Sequence, residues 1–259
     1  MRFEARGSSD EDVPDQKMTT HVRHLRGLTI ATAVMLTVSL ALVFFYAPLD
    51  ANQGFIQKIF YIHVPLAIVS LGGFVLGGVF AVAYLRTGER VWDMRSYCAI
   101  HMSLIFAVAG LLAGSIWAKA SWGHWWVWSE PTLVSYLIVI LLFCTYQPLR
   151  FSIEDPELQS RYAAVFAVVC GAFVPINFIV VRLSTQFLHP RVLNLEGGNL
   201  PGSMKLAFYT SLLAIALLFA TLMKYEMAAK QTRIETRRLR RRLLGDDALR
   251  PLGRSAAPQ

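Results

Sequence analysis

Four of the six tryptophans, Trp122, Trp125, Trp126 and Trp128, fall within seven residues of Lys119-Ala-Ser-Trp-Gly-His-Trp-Trp-Val-Trp-Ser-Glu130. Indole has a broad apolar face and one N–H donor, so such a cluster is either an interfacial belt or a platform for a planar aromatic ligand. A belt would spread over several helix ends, which favours the platform. In a helix, Trp122, Trp125 and Trp126 stand at i, i+3 and i+4 and share one face. Two histidines could work with it: His63 in Lys-Ile-Phe-Tyr-Ile-His-Val-Pro (58–65) and His189 in Thr-Gln-Phe-Leu-His-Pro-Arg (185–191). Neutral imidazole is a good ligand for iron, and histidine pairs are an established axial set for haem. Taken singly, each is as readily an ordinary hydrogen-bonded residue. Zinc competes through His63, His124, His189, Asp50, Glu130 and Glu196, although no HExxH-like spacing supports it. His124 either edges the platform or faces water.

These pieces act together only if they share one side of a barrier, and the composition supplies the barrier. The 259 residues are 55% apolar and 16% charged, against about 45–50% and 25% in soluble domains. Six runs lack Asp, Glu, Lys and Arg: 27–49, 59–85, 96–118, 131–149, 162–181 and 206–223. Each is near the roughly 20 residues a helix needs to cross about 30 Å of hydrocarbon. Lipid offers the backbone no partner, so such runs are helices or closed-barrel strands, and strands would alternate apolar with polar residues. The expected fold is an all-α integral membrane protein, a bundle of six transmembrane helices.

Both tails and the loops at 86–95 and 150–161 hold twenty basic residues, and the other three connections hold five. The positive-inside rule then places both termini in the cytoplasm and the segments around Asp50, Trp122 and His189 outside. About 26 polar residues precede the first span, so it is retained rather than cleaved as a signal. Residues 1–26 are expected to form a disordered cytoplasmic tail, 27–223 the six-helix domain and 224–259 a basic cytoplasmic tail that continues span 6 as a helix.

The net charge of +8 belongs to membrane lipid rather than nucleic acid, because no base-reading scaffold surrounds Arg237, Arg238, Arg240, Arg241 and Arg242. Cys98, Cys144 and Cys170 lie inside spans with no CxxC or CxxCH, which excludes thiol redox chemistry and covalent haem attachment and leaves them as buried small hydrophobes. His101, at the cytoplasmic end of span 3, is expected to be buried and hydrogen-bonded.

Trp-Gly-His-Trp-Trp-Val-Trp (122–128), Tyr61-Ile-His-Val-Pro65, and Phe187-Leu-His189 after Val174-Pro175 together resemble the CcmC family of cytochrome c maturation, within the tryptophan-motif haem-handling superfamily. The resemblance covers roughly residues 25–225. It implies non-covalent haem b with His63 and His189 as axial ligands, cradled by Trp122, Gly123, Trp125, Trp126 and Trp128. It also implies a bacterial inner-membrane location with the site facing the periplasm. The implied partners are the haem chaperone CcmE, the ABC-type assembly CcmAB and the small protein CcmD. The family motif continues with Asp and, two residues on, Arg; this chain has Ser129-Glu130-Pro131, where Glu130 is a displaced carboxylate and Pro131 lacks an N–H.

The expected role is haem presentation rather than enzymatic turnover, with Arg182, Arg191 and Lys119 as candidate partners for the propionates. The alternatives are a membrane b-type cytochrome or oxidoreductase, and a transporter or ABC permease component. A b-type cytochrome would call for histidines on both sides of the bilayer, and a transporter for polar groups lining a path. Compartment reporters fused after residues 55, 125 and 195 should read as non-cytosolic, and those after 90, 155 and 240 as cytosolic; opposite readings at 55 and 195 would forbid a shared iron.

Overall fold

The computed structural model describes residues 13–183, 188–189, 200 and 202–244; the side chains of 13–24, Val180 and Arg182 lie outside the description. Among the described residues, six helices are long and apolar enough to cross a membrane: Leu25–Tyr46, Phe55–Thr87, Arg90–Trp122, Pro131–Phe151, Pro156–Ile179 and Gly202–Leu243. The chain is an all-α membrane bundle of six spans. In chain order they are built from α1 (Val13–Ala41), α2 (Phe60–Thr87), α3 (Arg90–Trp122), α4 (Pro131–Cys144), α5 (Tyr146–Phe151), α6 (Pro156–Leu183) and α7 (Gly202–Leu244). A π-helical turn, Leu42–Tyr46, ends the first span and a 3-10 turn, Phe55–Ile59, opens the second. Large apolar side chains such as Ile30, Phe45, Leu112, Val169 and Leu213 stand exposed on the helices, as hydrocarbon solvent requires.

Helix α1 begins at Val13, well before the first span, although the composition predicts a tail without structure over 1–26; residues 1–12 lie outside those described. Pro14 fits a helix start, and from Asp15 to Arg26 no Pro or Gly interrupts it. The basic C-terminal stretch does continue span 6, because α7 is unbroken to Leu244.

Helix α2 is the hub and packs on α3, α6 and α7, while α1 packs on α7. Small residues permit the close approaches: a Cβ added to Gly78 would lie 3.2 Å from the Gly171 Cα, which brings α2 and α6 nearly backbone to backbone. Phe74 of α2 stacks on Phe143 of α4 with ring centres 3.9 Å apart and planes 13° apart. Hydroxyl pairs join α1 to α7: Thr32–Thr221 at 2.7 Å, Ser39–Ser211 at 2.8 Å and Thr29–Tyr225 at 2.9 Å. Cys98 and Cys170 are buried as expected, but Cys144, on the last turn of α4, faces out of the bundle. None of the three is in a disulfide.

The ends of the bundle are pinned by polar contacts. At the start of α3, Asp93 accepts two bonds from the Arg150 guanidinium, at 2.7 and 2.6 Å, and one from the Ser160 hydroxyl at 3.1 Å, tying α3, α5 and α6. Nearby, the His101 ring meets the Glu226 carboxylate at 2.8 Å, linking α3 to α7, so this histidine has the hydrogen-bonded role its position suggested, although it is half-buried rather than buried. At the other end Lys58, only 5% exposed, donates to the carbonyls of Val43 and Ala47. Its charge neutralises the negative end of the first helix and locks the turn into α2.

Removing one partner of the Asp93–Arg150 pair strands a buried charge. Asp93→Ala should therefore cost about 3–5 kcal/mol, and Asp93→Ala with Arg150→Met should recover most of that, as read from thermal denaturation in detergent.

Candidate functional site

The Lys58 anchor sets the start of α2, and His63 follows in its first turn. The His63 Nδ1 lies 2.9 Å from the Gly110 carbonyl of α3. A carbonyl only accepts, so Nδ1 carries the proton and the lone pair is on Nε2. Gly114, one turn further along α3, makes room for the ring: a Cβ there would lie 2.5 Å from His63 Cε1 and 2.9 Å from Nδ1. Trp117 stands edge-on to the same ring with centres 5.9 Å apart, and its indole N–H donates to Gln53 Oε1 at 2.8 Å. Three successive turns of α3 thus hold one imidazole.

Helix α3 stops at Trp122 because Gly123 takes the left-handed conformation, φ 79° and ψ −3°, with its N–H bonded to the Lys119 carbonyl. This is a glycine C-cap. The single helical face expected for Trp122, Trp125 and Trp126 is therefore absent; residues 123–130 turn back instead, until Pro131 starts α4 behind Glu130. Lys119, expected to face an anionic ligand, donates to the Gly123 carbonyl at 2.9 Å.

The turn still gathers the tryptophans. Trp122, Trp125 and Trp126 line a cavity of about 600 Å³, together with His63 and His189. It runs between α2, α3, α4 and α6 past Leu71, Leu111, Tyr136 and Val174 and is walled mainly by apolar side chains. Trp128 is 74% exposed and borders the cavity only through Trp126, 5.8 Å away between ring centres. His124 is exposed. Arg191 and the Arg182 side chain lie outside the described residues.

His189 comes to the same place from the connection between α6 and α7. Its ring centre is 6.3 Å from Trp122 and 6.4 Å from His63. Metal–nitrogen bonds of about 2 Å and roughly 1 Å from nitrogen to ring centre would put two axial imidazoles about 6 Å apart. The 6.4 Å between the two ring centres is close to that spacing. The Trp126 Nε1 is buried with no hydrogen-bond partner among the described residues, a donor suited to an acceptor on a bound ligand. Among the described residues no three His, Cys, Asp or Glu side chains gather, as a zinc centre would need.

Beside the pair lies Glu130, 1% exposed. Its Oε2 accepts the backbone N–H of Leu188 at 2.8 Å and of His189 at 3.3 Å. Burial works to raise this carboxyl's pKa, but those two N–H groups and the backbone and hydroxyl of Thr132 outweigh it and hold the pKa below the usual glutamate value. The stabilisation is thus complete above the ordinary carboxyl range and is lost only as pH falls through the lowered value.

The sequence profile described as heme exporter protein C matches residues 11–243. The chain belongs to that family. It is 32% identical over 236 residues to heme exporter protein C of Bradyrhizobium diazoefficiens, covering 88% of this chain and 85% of the relative. The Rhodobacter capsulatus protein of that name is 28% identical over 176 residues, 68% and 72% of the two chains. The Escherichia coli K12 protein is 32% identical over 149 residues, 58% and 60%.

Sequence reasoning missed Trp117, Gly114 and Gly110 as parts of the His63 seat. Gly110-Leu-Leu-Ala-Gly114 is a small-xxx-small pattern that marks a close helix contact, and Trp117 stands one turn beyond it. Alanine at position 123 would force a side chain into the left-handed region. Gly123→Ala should cost about 1 kcal/mol and lower the midpoint of thermal unfolding, whereas Gly123→Asn should cost less.

Proposed function

We propose that this heme exporter C family member binds haem b non-covalently at the periplasmic face of a bacterial inner membrane and presents it for cytochrome c maturation. Its cytoplasmic ends would be the start of α3 and the end of α7. The observation that carries the reading is the approach of His63 and His189 to an iron-compatible distance beside Trp122.

His63 and His189 would be the axial ligands. The Gly110 carbonyl fixes the His63 proton on Nδ1 and so keeps Nε2 available as a neutral donor, the usual way an outer hydrogen bond orients a ligating imidazole. Trp122, Trp125 and Trp126 supply apolar walls, and Gly123 and Trp128 shape the rim. Trp126 Nε1, Arg182 and Arg191 are the proposed partners of the propionates. The role is hand-over rather than turnover: the cargo is held by two ligands and apolar contact, with an exposed rim from which an acceptor can take it. The proposed acceptor is the haem chaperone CcmE, with CcmD and the CcmAB assembly as companions in the membrane. His101, bonded to Glu226 at the other end of the bundle, is already engaged, which weighs against a second haem and a transmembrane electron path.

Purified protein supplied with haem should show a six-coordinate, low-spin absorption spectrum. His63→Ala and His189→Ala should each convert it to a five-coordinate form, and the double variant should lose haem. Gly114→Ala, which pushes the His63 ring aside, should weaken haem retention about tenfold. A wild-type protein that takes up no haem, or single variants with unchanged spectra, would overturn the assignment.

A further inference from the structure

A carboxylate that is 1% exposed is costly unless donors surround it. Glu130 meets that demand with backbone N–H groups from a part of the chain 58 and 59 residues away. Those donors belong to Leu188 and to His189 itself. At its own position Glu130 is the residue before Pro131, the first residue of α4, and closes the tryptophan turn. One carboxylate therefore bridges the tryptophan turn and the histidine segment.

We infer that Glu130 is a positioning residue for His189: its carboxylate grips the two successive peptide N–H groups that flank the Leu188 Cα, the second being that of His189 itself, and aims the imidazole at the cavity. This rests on the reading of His189 as an iron ligand. An axial ligand must be held to within about 0.5 Å, and His189 is not on a transmembrane helix as His63 is. Bonds from backbone N–H to an ionised carboxylate are charge-assisted and roughly twice as strong as neutral ones. Two of them to one oxygen fix the direction of the peptide as well as its distance. The grip also couples two parts of the dock, because any shift of the tryptophan turn moves the second ligand. The displaced position of this carboxylate in Ser129-Glu130-Pro131 suits such a grip. Pro131 contributes no competing N–H, so the donors come from Thr132 and from the distant segment.

The test compares haem-loaded wild type with Glu130→Ala, Glu130→Gln, Glu130→Asp and His189→Ala. Glu130→Ala should give the five-coordinate spectrum of His189→Ala and release haem about tenfold faster than wild type. Added imidazole should restore the six-coordinate spectrum in both. Glu130→Asp should keep a larger share of the six-coordinate form than Glu130→Ala. Glu130→Gln preserves volume and carries the same test if the alanine variant does not fold: it should show a mixture of the two spectra. The inference is overturned if Glu130→Ala, or Glu130→Gln in its place, keeps the wild-type spectrum and release rate. It is also overturned if the haem lost is not recovered as a six-coordinate species with imidazole. A His189→Ala spectrum identical to wild type would instead sink the ligand assignment beneath it.

Discussion

Hydrocarbon offers no hydrogen bonds, and every polar group that this bundle carries into it must find a partner within the protein. That constraint explains where the polar side chains stand. Lys58 is buried but donates its protons to the carbonyls that end the first span. Asp93 and Arg150 satisfy each other between three helices. The hydroxyl pairs between α1 and α7 each supply a donor to an acceptor across the interface. The interior between these pins is left to apolar packing and to glycines that let helices touch. A cavity opens beside two imidazoles, and Trp126 Nε1 in its wall is one of five buried side-chain polar atoms without a partner among the described residues, the others being Gln57 Oε1, Tyr61 Oη, Ser121 Oγ and Glu226 Oε2.

The same rule makes much of the fold legible. A chain forced into helices by lipid shows its spans as uncharged runs, and the six runs correspond to the six spanning helices. His63 can be placed near a span end because Lys58 marks the last charge before it. What escapes is structure fixed by backbone geometry. The spacing of Trp122, Trp125 and Trp126 reads as a helical face only while the helix continues, and Gly123 ends it with a left-handed cap. The tryptophans reach a common cavity through the turn instead. The apolar run around Cys144 suggests burial, but in lipid an apolar run says nothing about which face points inward.

Glu130 is visible in the sequence as a displaced carboxylate, yet its partners cannot be read there. They are main-chain N–H groups, which every residue but proline carries, so no side chain at 188 or 189 announces the contact. Likewise the seat of His63 depends on a missing Cβ at Gly114 and a carbonyl at Gly110. Both facts belong to the helix pairing, and the sequence of either helix alone does not contain them.

The two histidines are held by different means. His63 is wedged between helices by a carbonyl, a glycine and a tryptophan; moving it means separating α2 from α3, the hub and one of its principal packing partners. His189 lies off the helices: its backbone N–H and that of Leu188 bond to the Glu130 carboxylate, and its ring stands against Trp122 and His63. One imidazole is thus fixed by helix packing, while the backbone that carries the other is tied to the tryptophan turn through a carboxylate.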